Sequence, residues 1–133
     1  AEASAAIAAR VAPLPTERVA LGACGGRVLR APVRAERDAP PFDRVAMDGI
    51  ALDHAVLAAG SRRFRVEGVQ AAGQPPRRLA DPRACLEVMT GAVLPPGCDA
   101  VVPVEDLVRD ADWAEVGPGV RAQAWQHVHR QGT

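Results

Sequence analysis

A mainly-β fold with one short N-terminal helix (α+β) is the class this sequence predicts. Three observations lead there. Short runs rich in Val, Leu and Ala recur along the chain, each bounded by residues that break regular structure. The 133 residues include 12 Gly and 12 Pro, which punctuate the chain too often for long helices. Only residues 2–12 carry a sustained helical pattern. Many short strands joined by such turns make a twisted β module, and a chain of this length buries one good core or two small ones.

Each element follows from its local pattern. Residues 2–12 are Ala-rich with Ile7 and Val11 four apart, which predicts a helix that stops before Pro13 and Pro15. Thr16–Leu21 alternates and predicts a strand, Gly22–Gly26 a turn, and Arg27–Val33 an extended segment. Pro40–Gly49 is a loop entered through two prolines, whose rings restrict φ. Gly49–Leu52 starts a short strand, and Asp53–Ala59 a helical turn. Arg63–Val69 sets Phe64 and Val66 against Arg65 and Glu67, the alternation of a half-buried strand. Ala71–Pro76 is a loop. Strands follow at Ala84–Thr90, Ala100–Glu105 and Trp113–Val116, with Asp110-Ala111-Asp112 as the hairpin turn before the last of them. Gly119–Arg130 reads as one more strand.

Composition excludes several functions. Sixteen basic and sixteen acidic residues balance, so charge supplies no attraction to nucleic acid or to an anionic membrane. The aromatic residues are Phe42, Phe64, Trp113 and Trp125, too few for a base-stacking platform. Every basic residue is arginine, so no lysine is present for Schiff-base chemistry. Cys24, Cys85 and Cys98 are odd in number and widely spaced, which argues against a disulfide framework or a zinc site and for a reducing, cytoplasmic setting. No apolar run is long enough to span a bilayer, and no signal peptide is evident.

Two stretches hold the residues suited to chemistry. Pro40–Leu52 reads PPFDRVAMDGIAL and presents Asp43 and Asp48 on a loop bracketed by Pro and Gly. A carboxylate there can hold a metal ion or a polar substrate, or it can bond loop amides as an Asx turn. Cys85–Leu107 reads CLEVMTGAVLPPGCDAVVPVEDL and sets Thr90 at a strand end before Gly91. A hydroxyl so placed, with its neighbouring amides, can meet an anion or simply shape the turn. Neither GxxxxGK[ST] nor GxGxxG occurs, so Gly73, Gly91 and Gly97 read as backbone devices. His127 and His129 stand two apart on a strand without a third ligand. Cys85 and Cys98 read as small buried apolar residues, and Asp99 and Glu105 as structural charges.

Four segments occur in one order: Pro41-Phe42-Asp43 with Ala46-Met47-Asp48-Gly49, then Ala72-Gly73-Gln74-Pro75, then Met89-Thr90-Gly91-Ala92, then Pro96-Gly97 with Asp99-Ala100-Val101-Val102. In that order and spacing the chain resembles the N-terminal region of the MoeA family from about Pro13 to Gly132. This family comprises the molybdopterin molybdotransferases and includes the E domain of gephyrin. The resemblance implies an elongated protein with twisted sheets, in which a small barrel-like β domain is inserted into an outer domain. Residues 1–36 would begin the outer domain, 37–119 form the inserted domain, and 120–133 begin the return. It further implies a larger molybdopterin-binding α/β domain that this chain does not contain.

The implied reaction inserts molybdate into adenylylated molybdopterin and releases AMP, with Mg²⁺ as the metal and a homodimer as the working unit. In the residues matched to the motifs, the resemblance implies Asp48 and Thr90 as catalytic, with Asp48 also holding metal. It implies Asp43, Arg44, Gly49 and Gly91 as substrate contacts. Two positions depart from the family pattern: Val45 stands where Ser is usual, and Ile50 where an aromatic is usual. The 133 residues hold one wall of such a site and are expected to be inactive alone. The other reading is a noncatalytic interaction module, with Val45 as the mark of lost catalysis.

Overall fold

Several apolar runs of this chain are continuous rather than alternating, and the computed structural model, which describes residues 2–133, gives the reason. Two clusters of buried side chains lie on opposite faces of one sheet. The first holds Ala51, Leu86, Val88 and Val101; the second holds Ile50, Leu52, Cys85, Ala100 and Val102. Neighbouring side chains on a strand point to opposite faces. A strand covered on both faces must therefore be apolar at every position. Gly49–Leu52 and Ala100–Pro103 are buried throughout for that reason.

The described residues fall into two compact units, one ending at Arg34 and the other spanning Ala35–Thr133. In the first, helix α1 (Glu2–Ala8) is followed by coil and by a single 3-10 turn at Leu21–Ala23. The helix is shorter than the 2–12 expected. The predicted strand at Thr16–Leu21 is not formed, and the segment Arg27–Val33 joins no ladder: no residue of either belongs to a strand. Alternation makes a strand only where another strand accepts its backbone hydrogen bonds and a core accepts its apolar face. Every described residue of this unit is exposed, and the one ion pair among those residues joins Arg27 to Glu17.

The second unit carries strands β1 (Arg44–Val45), β2 (Gly49–Leu52), β3 (Arg63–Gln70) and β4 (Ala84–Val88). Strands β5 (Ala100–Pro103), β6 (Leu107–Asp110), β7 (Trp113–Val116) and β8 (Val128–His129) follow. A mixed six-stranded sheet runs β5-β2-β4-β3-β7-β6, and β1 pairs with β8 in a separate ladder. Only β3 and β4 are parallel, and their pairing shifts register between Val66 and Val69. Helix α2 (His54–Ala58) follows β2; the Asp53 carboxylate caps it, accepting from the Ala55 amide at 2.8 Å. Leu57 of that helix seals the second cluster with Phe64.

Three expectations need correction. The predicted strand Ala100–Glu105 ends at Pro103, where a 3-10 turn, Val104–Asp106, begins. The loop Pro40–Gly49 contains β1, which the sequence reading left out. The single strand expected over Gly119–Arg130 is instead a string of turns with only Val128–His129 in a ladder. Trp125 and His127 have φ of 65° and 56°, a left-handed conformation that no strand continues through. His127 therefore lies outside the strand that holds His129.

Parallel strands need a long crossover, and here it is built around a buried amide. Gln70 is 0% exposed. Its Oε1 accepts from the Arg77 amide at 2.6 Å, and its Nε2 donates to the carbonyls of Ala71 and Gln74 at 3.2 and 3.3 Å. Every polar atom of the buried side chain is paired, as burial requires. Glu67 holds the far end of the crossover, accepting from the Ala80 and Asp81 amides at 2.9 and 3.3 Å.

Two predictions follow from the packing. A Cβ at position 49 would overlap the Val102 carbonyl of the adjacent strand. Gly49→Ala should therefore destabilise the chain by about 1–3 kcal/mol, read as a lower denaturant midpoint at unchanged slope. An unchanged midpoint would mean that β2 and β5 separate easily. All three cysteines are free thiols, and burial pushes Cys85 and Cys98 each up to about 12. Since the thiolate is the nucleophile, native iodoacetamide labelling at pH 8 should modify Cys24 alone. Early modification of a second cysteine, seen by mass spectrometry, would contradict this core.

Candidate functional site

The site begins where β2 leaves the core. Asp48 precedes the first residue of β2, and its own carbonyl accepts from the Val104 amide at 3.0 Å, which holds the strand entrance against the turn after β5. Its side chain is exposed. The turn after β4 comes up beside it. Gly91, at φ 87°, lets that turn reverse, and its amide donates to the Val45 carbonyl at 2.9 Å. The Val45 amide donates back to the Ala92 carbonyl at 2.9 Å, and the Leu94 amide to the Asp43 carbonyl at 2.8 Å. Backbone bonds thus lace residues 43–49 to residues 88–94.

That lacing brings the two catalytic candidates together. Thr90 donates twice to one oxygen, Asp48 Oδ1: from its amide at 2.6 Å and from its hydroxyl at 2.6 Å. The hydroxyl, and after it the amide, holds the Asp48 carboxyl below its ordinary value, since donors to the charged form favour it. Oδ2 has no partner among the described residues. The carboxylate borders a shallow open hollow of about 220 Å³, also lined by Gly49, Glu87, Met89, Val104 and Arg109. Arg109 Nη2 donates to Glu87 Oε2 at 3.0 Å along its wall.

The other candidates go elsewhere. Gly49 lines this hollow, but Gly91 serves the reversal behind it. Asp43 Oδ1 accepts from the Gln131 amide at 2.8 Å, a backbone tie between chain segments. Arg44 lines a different hollow, with Arg37 and His129, and shares none of the walls around Asp48. Val45 is buried in the first cluster, so the residue that replaces the usual Ser faces the core and neither hollow. Ile50, in place of the usual aromatic, is buried in the second cluster. Asp99 Oδ1 accepts from the His54 amide at 2.7 Å, a structural role.

Sequence reasoning missed Glu87 and Arg109. Glu87 is the one charged residue of β4, and a charge in an otherwise buried strand was the available signal. Arg109 could not be found that way, because β6 was not anticipated. Among the described residues no three His, Cys, Asp or Glu side chains group as a metal cage, and no helix is long and apolar enough to cross a membrane.

Comparison with known proteins agrees with this architecture. A molybdopterin molybdenumtransferase from Synechocystis sp. is 51% identical over 82 residues, covering 62% of this chain and 21% of that protein. One from Synechococcus elongatus is 41% identical over 126 residues, covering 90% of this chain and 30% of that protein. The crystal structure of a molybdopterin biosynthesis MoeA protein from Pyrococcus horikoshii OT3 superposes with a TM-score of 0.68 at 30% identity, covering 87% of this chain and 31% of the other. The chain thus spans less than a third of the length of each of these relatives. The family described as the MoeA N-terminal region (domain I and II) matches residues 1–133, and the chain belongs to that family.

Proposed function

We propose that this chain is the N-terminal part of an enzyme that inserts molybdate into adenylylated molybdopterin with release of AMP, and that Asp48, held by Thr90, is its contribution to the reaction. The observation that carries this reading is the double donation to one carboxylate oxygen. It joins two family motifs, favours the ionised form, and leaves Oδ2 without a partner among the described residues on a side chain that borders a hollow. Asp43 and Asp99 also accept from distant amides, at one bond each; Asp48 instead takes the amide and the hydroxyl of one residue on one oxygen and stands at the edge of a hollow.

Asp48 fits Mg²⁺ as a single carboxylate ligand, the usual protein share where substrate phosphates and water complete the shell. Bound there, the ion would neutralise phosphate or molybdate oxygens. This chain's own part is to hold the carboxylate charged and aimed. Gly49 lines the same hollow, and its missing side chain lets β2 lie close against β5 beneath Asp48. The working unit is a homodimer in the cytoplasm, a setting that suits three free thiols. In it, residues 1–36 and 120–133 belong to an outer domain and 37–119 to an inserted one. Catalysis needs the molybdopterin-binding domain of the longer protein as the facing wall. The alternative, a noncatalytic module of the kind gephyrin exemplifies, takes Val45 as a mark of lost catalysis, and Val45 is a core residue here.

In the longer protein, Asp48→Asn should lower turnover at least about ten-fold while leaving the melting temperature unchanged. Asn can still accept from Thr90 but lacks the charge. Turnover near the parent level would leave Asp48 a loop residue and favour the interaction module. In the 133-residue chain, Thr90→Val removes the larger of the two causes that depress the Asp48 carboxyl. Its pKa, followed by carbon NMR, should rise toward the ordinary value. A depressed folded-state pKa contributes stability above the unfolded value of about 3.9. That contribution is lost as pH falls through the folded value, so the variant should also show a weaker pH dependence of stability below about pH 4. An unmoved Asp48 titration would show that Thr90 is not what keeps it ionised.

A further inference from the structure

The geometry points to a second binding site on this chain, for a tetrahedral oxyanion, beside the β1–β8 ladder. The ladder sets Arg44 directly opposite His129. Cross-strand partners have Cβ atoms only about 4.5–5.5 Å apart, so both side chains reach one point above the ladder. Arg37 closes a third side of the hollow they share. Its volume, about 510 Å³, lies within the range of roughly 300–1,000 Å³ typical of small-molecule sites.

Charge in the hollow is unbalanced. Among the described residues the ion pairs are Arg27 with Glu17, Arg63 with Asp110, and Arg109 with Glu87. Arg37 and Arg44 therefore have no carboxylate within pairing distance. One carboxylate, Asp38, also lines the hollow, against two guanidinium groups; it and nearby Asp43 each hold the segment at Gln131. Asp38 Oδ2 accepts from Gln131 Nε2 at 2.7 Å, and Asp43 Oδ1 from the Gln131 amide at 2.8 Å. The same segment is tied to the opposite wall, where the Gly132 amide donates to the Pro40 carbonyl at 3.1 Å. The carboxylates thus brace the frame, and the hollow keeps two unpaired guanidinium groups among its lining residues.

The donor count selects the ligand class. Each guanidinium offers a two-pronged fork, and the imidazole adds a further ring nitrogen. A carboxylate has two oxygens and satisfies one fork. A phosphate-type group has enough oxygens to meet two forks arriving from different sides. The ligand is therefore a tetrahedral oxyanion, free or carried on a phosphomonoester. No residue of this hollow borders the one at Asp48, so the assignment stands independently of the reaction proposed above.

The test is NMR titration of the isotope-labelled 133-residue chain at constant ionic strength, with inorganic phosphate in one arm and AMP in another, and acetate as the control. Saturable shifts at Arg44 and His129 are expected with phosphate and AMP, and none with acetate. Equal affinity for the first two assigns a free oxyanion site; tighter AMP assigns a phosphomonoester site. Arg37→Gln and Arg44→Gln should each weaken binding about ten-fold, with unchanged thermal melts, since both side chains are exposed. Asp48→Asn should change it by less than about two-fold, as expected for independent sites. Non-saturating shifts, affinity that survives both Arg substitutions, or shifts centred on Asp48 and Thr90 would each overturn the proposal.

Discussion

At Gly49 a strand passes so close to its neighbour that no side chain fits between them. The Val102 carbonyl of β5 occupies the place of a Cβ, and β2 runs on from there with β4 along its other edge. Much follows from that approach. With β2 inside the sheet, Ile50 and Leu52 feed one core while Ala51 feeds the other. With β5 drawn in, the turn at Val104 can donate to the Asp48 carbonyl. Asp48 then becomes the point where the chain stops being core and starts being surface. Its position is set by the backbone on one side of it and by solvent on the other.

The bond from Thr90 is of little account as a source of stability, because exposed charged contacts are worth little in water. Its value is orientational. Two donors on one oxygen fix the plane of the carboxylate and leave the second oxygen directed away from them. Both partners stand on turns anchored to strands of the same sheet, which is the kind of support that holds a reactive group still. The neighbouring pair of Glu87 and Arg109 adds charge of both signs to the same wall.

Elements with a buried face were legible in the sequence, and elements held by partners alone were not. Phe64 and Val66 announced β3 through alternation, and the helical turn expected over Asp53–Ala59 is α2, which Asp53 caps. Thr16–Leu21 alternates as well, yet forms no ladder, because nothing in its unit offers an edge. β1 and β8 have two residues each, and two residues carry no period to detect. The expected strand stops at Val69, one residue short of Gln70; the buried amide of Gln70, which organises the crossover, shows only once the crossover is folded. Asp48 and Thr90 were found by motif, but their hydrogen bond lies between turns that only the paired strands bring together.

The short β1 strand shows how much one position of phase can decide. Arg44 is exposed and Val45 buried, each beside its partner of the same kind: His129 in the open, Val128 packed on the core. Alternation is strict in a strand, so shifting this segment by one residue would bury a guanidinium and expose the valine. Burying an unpaired charge costs far more than a two-residue ladder contributes, so that register is enforced by the core. The departure from the family motif at position 45 therefore falls on the inward phase, where an apolar side chain suits the cluster it joins. The outward phase is left free to carry charge. One stretch of ten residues thus faces a basic hollow at Arg44, the core at Val45 and an acidic turn at Asp48, and the backbone alone keeps the three apart.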